Sequence, residues 1–96
     1  MIASFGDAAT EDLFHGRATA RTRRFPADMA RAAARKLDLV DAAHVLEDLR
    51  VPPGNRLEAL KGNLAGLHSI RINQQWRIVF RWEDGAAREV KIDDYH

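Results

Sequence analysis

The sequence predicts an α+β domain, with N-terminal helices packed on one face of a small, mainly antiparallel β-sheet. Three observations lead there. Apolar residues recur at helical spacing in the first half and at every second position in the second half. The two regimes meet at Val51-Pro52-Pro53-Gly54-Asn55, which ends the helical half outright. Helices gathered before strands, rather than alternating with them, fit an antiparallel meander covered on one side.

Residues 2–5 alternate apolar and small side chains and predict a short opening strand. Asp7 is an N-cap candidate for a short helix carrying Leu13 and Phe14, with Gly16 just past its end. Residues 17–24 are polar and basic, hence a loop. Pro26 stands at the first turn of a helix, where proline is best tolerated. Met29, Ala33, Leu37 and Val40 then form one apolar stripe, with Arg31 and Arg35 on another face. Asp41 is the predicted cap of a further short helix with Val45, Leu46 and Leu49 turned inward. Past the proline break, residues 57–60 predict a short strand and Lys61-Gly62-Asn63 a turn; Ile70 and Ile72 mark the next strand by alternating with Ser69 and Arg71. Trp76, Ile78, Phe80 and Trp82 alternate with Arg77, Val79 and Arg81, the pattern of a half-buried strand. Asn73-Gln74-Gln75 makes the first hairpin turn and Glu83-Asp84-Gly85 the second, and Val90 and Ile92 carry the last strand. Successive strand residues point to opposite faces, so burying the tryptophans projects Arg71, Arg77 and Arg81 from one exposed sheet face.

The 96 residues suffice for one compact domain spanning 1–96 and not for two. No cysteine is present, which excludes disulfides, thiolate nucleophiles and cysteine-based zinc sites. No stretch approaches the roughly 20 apolar residues that span a membrane, and the first residues lack the pattern of a signal peptide, which points to the cytoplasm. The net charge of +1 is uninformative, but its distribution is not. Between Arg17 and Lys36 seven basic residues face Asp28 alone, and between Leu49 and Trp82 six face Glu58 alone. Such segregation creates a basic face on a nearly neutral protein, suited to an RNA backbone or merely to solvent.

Several segments in order carry a family resemblance: Leu57-Glu58-Ala59-Leu60-Lys61-Gly62, Ser69-Ile70-Arg71-Ile72-Asn73, Trp76-Arg77-Ile78 and the terminal Asp93-Asp94-Tyr95-His96. With the opening Met-Ile-x-Ser-Phe and Asp41-Ala42-Ala43, they resemble the HigB-type toxins of the RelE superfamily over nearly the whole chain. The resemblance implies a RelE-like fold and ribosome-dependent cleavage of mRNA with no metal or organic cofactor. It also implies a HigA-like helix-turn-helix antitoxin that neutralises the toxin and represses the operon. The toxin's partners would then be that antitoxin, the ribosome and mRNA, with operator DNA reached only through the antitoxin and no membrane.

RNA is cut without metal when its own 2′-hydroxyl is the nucleophile, provided a base deprotonates it, cations stabilise the phosphorane-like transition state and an acid protonates the leaving oxygen. On the resemblance, Arg77 and Lys61 would bind the scissile phosphate and His96 would act as general acid or base. Tyr95 would stack on a base or hydrogen-bond near the phosphate, and Asp94 would orient His96 or take part in proton transfer. Arg56, Arg71, Asn73 and Arg81 are the further RNA-binding candidates. Plainer readings stand beside these: Arg77 neutralising acids on a neighbouring strand, Lys61-Gly62 a polar turn, Tyr95 a core ring and His96 a solvated end. The tryptophans and Phe80 match the buried face and read as core, and His68 shares that face as a structural residue; His15 and His44 lack metal-ligand spacing. Glu58 departs from relatives that carry histidine at the matching position; a carboxylate there serves as a base only with a raised pKa. The alternative function is a non-catalytic RelE-fold protein that binds the ribosome or the antitoxin.

Overall fold

The computed structural model describes residues 1–94, so the predicted site residues Tyr95 and His96 lie outside the described residues. Helix α1 (Ala8–Phe14) starts where predicted, because Asp7 Oδ1 accepts from the Thr10 amide at 2.8 Å. Helix α2 (Ala27–Ala42) follows Pro26, whose carbonyl accepts its first bond from Ala30 at 2.8 Å. The predicted stripe is the buried one: Met29, Ala33, Leu37 and Val40 all lie in the core.

Four strands, β1 (Glu58–Ala59), β2 (His68–Arg71), β3 (Trp76–Glu83) and β4 (Ala86–Asp94), form an antiparallel meander in sequence order. Both hairpins turn where predicted. Asn73 Oδ1 accepts from the Gln75 and Trp76 amides at 2.8 and 2.9 Å. Asp84 and Gly85 take positive φ of 53° and 73°, the backbone demanded by a tight two-residue turn. Ile70, Ile78, Phe80, Val90 and Ile92 form the sheet's contribution to the core, against Leu37, Val40 and Leu49. At roughly 1.5–3 kcal/mol for each large apolar side chain removed from water, this cluster is the main driving force of folding. Trp76 and Trp82 are half-buried at its margin, Trp76 meeting Phe25 edge-on at 5.9 Å.

Three expectations are corrected. Residues 2–5 do not form a full strand; they make isolated parallel bridges, Ile2 to Ala87 and Phe5 to Val90, along the outer edge of β4. A bulge between them, centred on Glu89 at φ 54°, interrupts the ladder. Asp41 caps nothing: α2 runs on to Ala42, and Asp41 Oδ1 instead accepts from the Ile2 amide at 2.9 Å. The next helical piece, Leu46–Arg50, is a 3₁₀ turn organised by Asp48, whose Oδ2 accepts from His44 and Val45 amides. That turn buries Leu49 but leaves Val45 55% exposed, so Val45 is not part of the core. The short strand expected over 57–60 does form, as β1, bounded by the left-handed Arg56 (φ 46°) and by the 3₁₀ turn that begins right after Lys61.

Buried polar groups fasten the helical layer to the rest. Thr10 Oγ1 accepts from the Ile92 amide at 2.9 Å, tying α1 to β4. Asn55 donates to the Leu49 and Val51 carbonyls and accepts from Lys36, whose burial, with Arg35 nearby, pushes its pKa down. Asp12 is buried yet accepts from Arg21 and Thr19 at 2.9 Å and from Arg17 at 3.3 Å, wrapping the 17–24 loop around α1. These partners, Arg21 foremost, then Thr19 and Arg17, outweigh burial and hold the Asp12 carboxyl below its ordinary value.

Candidate functional site

The register of the meander decides which side chains stand together on the face away from the helices. Glu58 pairs with Ser69, Ser69 with Val79 and Val79 with Lys91, which makes one row across the sheet. Arg71 pairs with Arg77 and Arg77 with Asp93, which makes the next. Arg56, turned by its left-handed backbone just ahead of β1, closes the open end of that second row. Arg56, Glu58, Ser69, Arg71 and Arg77 line one cleft of about 100 Å³.

Two arginines directly opposite one another on adjacent strands destabilise a sheet. Asp93 relieves part of this from the other side, with Oδ2 at 3.1 Å from both Nε and a terminal nitrogen of Arg77. The pair is partly shielded, the Arg77 side chain being only 16% exposed, so its guanidinium is held in place. Among the described residues, three guanidiniums and the Glu58 carboxylate line the cleft.

Of the predicted site residues, Arg56, Glu58, Arg71 and Arg77 come together here. The structure also realises the plainer reading of Arg77 as an ion-pair partner, with Asp93; the same bond fixes the fork that faces the cleft. Asp94 ends β4 opposite Trp76 and accepts from Gln75 Nε2 at 3.0 Å. Asn73 directs its carbonyl oxygen into the hairpin turn. Lys61 is exposed after β1 and is not part of the cleft lining. Ser69 and Asp93 were not singled out as site residues from sequence; the alternation that placed Ser69 beside Arg71 was the available signal. His68 lies against Phe80, stacked at 6.3 Å between ring centroids. Among the described residues, no group of three or more metal-ligating side chains converges.

Arg81 lies apart from the cleft, in a second depression of about 190 Å³ on the same face, lined by Gly6, Leu67, Val79, Arg81, Glu89 and Lys91. Its floor is Val79, which is buried although it points away from the helices. Glu89 reaches Arg81 from the bulge, Oε2 accepting from Nε at 2.9 Å. The left-handed backbone at Glu89 costs about 1–2 kcal/mol, and an exposed ion pair returns at most about 1 kcal/mol.

Comparison with known proteins agrees with this architecture. The family model described as the RelE-like toxin of type II toxin-antitoxin system HigB matches residues 3–96. The protein named Toxin HigB-1 from Vibrio cholerae serotype O1 is 48% identical over 95 residues, covering 99% of this chain and 98% of that protein. Among solved structures, the YoeB dimer from Staphylococcus aureus aligns with a TM-score of 0.60 at 26% identity, covering 97% of this chain and 93% of that one. A chain of the YoeB-YefM complex from the same organism aligns at 0.61 and 19% identity over 100% and 98%, a likeness of fold. With the family model spanning residues 3–96 and so similar a relative matched end to end, the chain belongs to the HigB-like family of RelE-like toxins of type II toxin–antitoxin systems.

Proposed function

We propose that this toxin is an endoribonuclease that cuts mRNA on the ribosome, needs no metal for the chemistry, and is neutralised by a HigA-like helix-turn-helix antitoxin. The observation that carries the reading is the Arg71–Arg77 pair at the cleft. Guanidiniums gathered at one cleft are the donors that a phosphate group calls for. In the proposed reaction the substrate's 2′-hydroxyl attacks the adjacent phosphorus and the bond to the 5′-oxygen breaks. Products are a 2′,3′-cyclic phosphate and a 5′-hydroxyl end. Arg77, Arg71 and Arg56 take up charge on the non-bridging oxygens as the phosphorane forms. Glu58, which lines the same cleft, is assigned the 2′-hydroxyl proton, and His96 the proton delivered to the leaving oxygen. Tyr95 and Asp94 would orient His96 and the flanking base, and Lys61 would approach the phosphate as substrate binds. Asn73 and Arg81 would contact neighbouring nucleotides. The antitoxin would carry any contact with operator DNA. The site of action is the cytoplasm, where ribosomes translate.

Inducible expression with mapping of RNA 5′ ends tests this reading. Wild type should generate new ends within translated codons, and Arg77→Ala and His96→Ala should each lower their yield by on the order of 10²–10³-fold. Growth arrest without new ends would identify a non-catalytic ribosome- or antitoxin-binding protein instead, and cutting of naked RNA would remove the ribosome from the mechanism.

A further inference from the structure

The second depression shares its sheet face with the phosphate cleft. Val79 lies two residues along β3 from Arg77, a step of about 6.8 Å on the same face, which is close to the advance of one nucleotide in extended RNA. Here a carboxylate is brought up to Arg81, on the face that carries the cleft. Glu89 is delivered by a bulge and by a left-handed backbone that a glutamate does not favour, and Ser4 Oγ accepts from its amide at 2.9 Å. Gly6 allows this approach, since a Cβ there would stand 2.9 Å from the Glu89 carbonyl oxygen and 3.3 Å from Lys91 Cβ. The bulge thus sets a carboxylate acceptor and a guanidinium donor side by side at the depression, next to the apolar side chains of Val79 and Leu67.

We infer that this depression is a base-reading subsite for the nucleotide neighbouring the cleaved bond, and that it selects guanine through Glu89 and Arg81. The inference rests on the reading of the toxin as an endoribonuclease. A carboxylate has about four lone-pair positions and Arg81 Nε fills one, so Glu89 retains the capacity to accept from two adjacent N–H groups. Guanine alone among the four bases offers two such donors side by side, N1–H and the 2-amino group, next to the O6 acceptor. The remaining N–H groups of Arg81 match O6. Val79 and Leu67 supply the apolar surface beneath the ring. Lys91 flanks the depression and takes the phosphate that joins the bound nucleotide to the next.

Two measurements test this. In a translation extract programmed with templates that differ only in the base flanking the cut, wild-type toxin should favour guanine by about tenfold or more. Glu89→Gln should lose that ratio. Equal cutting at all four bases, or a ratio unchanged in Glu89→Gln, overturns the inference. In parallel, guanosine monophosphate is titrated into the isolated, isotope-labelled toxin and followed by amide shifts at Val79, Glu89 and Lys91. Saturable shifts, at least tenfold weaker with the monophosphates of adenosine, cytidine and uridine and lost in Glu89→Gln, support the subsite. Lys91→Ala should weaken all four ligands alike; an altered order among them contradicts its assignment to phosphate. Absence of saturable shifts, or equal affinity for all four, overturns the subsite. Should the extract show no cutting at all, the endoribonuclease reading falls by itself and the titration still decides whether the depression reads guanine.

Discussion

At the scale of single residues, chemistry separates groups that look alike in sequence. Arg77 and Arg31 are both arginines on a regular element, yet Arg77 is clamped by Asp93 while Arg31 is 70% exposed with Asp28 at 3.9 Å. The fork of Arg77 is therefore the part that a lysine cannot replace: Arg77→Lys keeps the charge and should still lower cleavage by at least tenfold in the 5′-end assay, because a point charge cannot grip two phosphate oxygens at once. Asp12 shows the opposite kind of residue, structural and invisible to periodicity. Its folded pKa lies below the ordinary 3.8, chiefly through Arg21. A depressed carboxylate contributes stability that is present above its unfolded value and lost as pH falls through its folded value. Thermal melts of wild type should accordingly drop more steeply below about pH 4 than those of Asp12→Asn, which should start from a lower melting temperature at pH 7.

At the scale of elements, the meander and α2 could be anticipated because their signals are strictly local: a four-residue stripe on the helix, strict alternation on β3, and Asp-Gly and Asn at the turns. The helical piece after α2 escaped, since Asp41 looks like a cap in one dimension and only tertiary placement hands it to the Ile2 amide. The cleft was half legible. Alternation shows that Arg71, Arg77 and Ser69 share a face, but register, set by the hairpin, is what puts Glu58 and Arg56 next to them. The bulge at Glu89 left no local mark, because nothing about a glutamate predicts positive φ. Two substitutions follow at this scale. Glu89→Gly should leave stability unchanged or raise it by up to about 1 kcal/mol in urea unfolding, since glycine accepts the left-handed backbone and the lost ion pair is exposed. Thr10→Val should cost about 1–3 kcal/mol, because the Ile92 amide would be left buried without its acceptor.

At the scale of the whole molecule, a net charge of +1 conceals a local concentration: Arg56, Arg71 and Arg77 gather at the cleft, while Arg17 and Arg21 are drawn in by Asp12. Affinity for RNA should follow the face rather than the total. If Arg56, Arg71 and Arg77 each neutralise one phosphate, the logarithm of the binding constant should fall with the logarithm of salt at a slope of about −2, and Arg77→Ala should make that slope shallower by about 0.7. Filter binding of single-stranded RNA across a salt series measures both. The segment that runs beside β4 has a last consequence. It occupies one border of the sheet, and the other border, β1, is two residues long. Among the described residues, the segment pairs with β4 at Ala87 and Val90, and β1 offers only a short edge for another chain to extend as a strand. Strand addition at the β1 border would gain few backbone bonds, so a partner docking there should rely on side chains and contours.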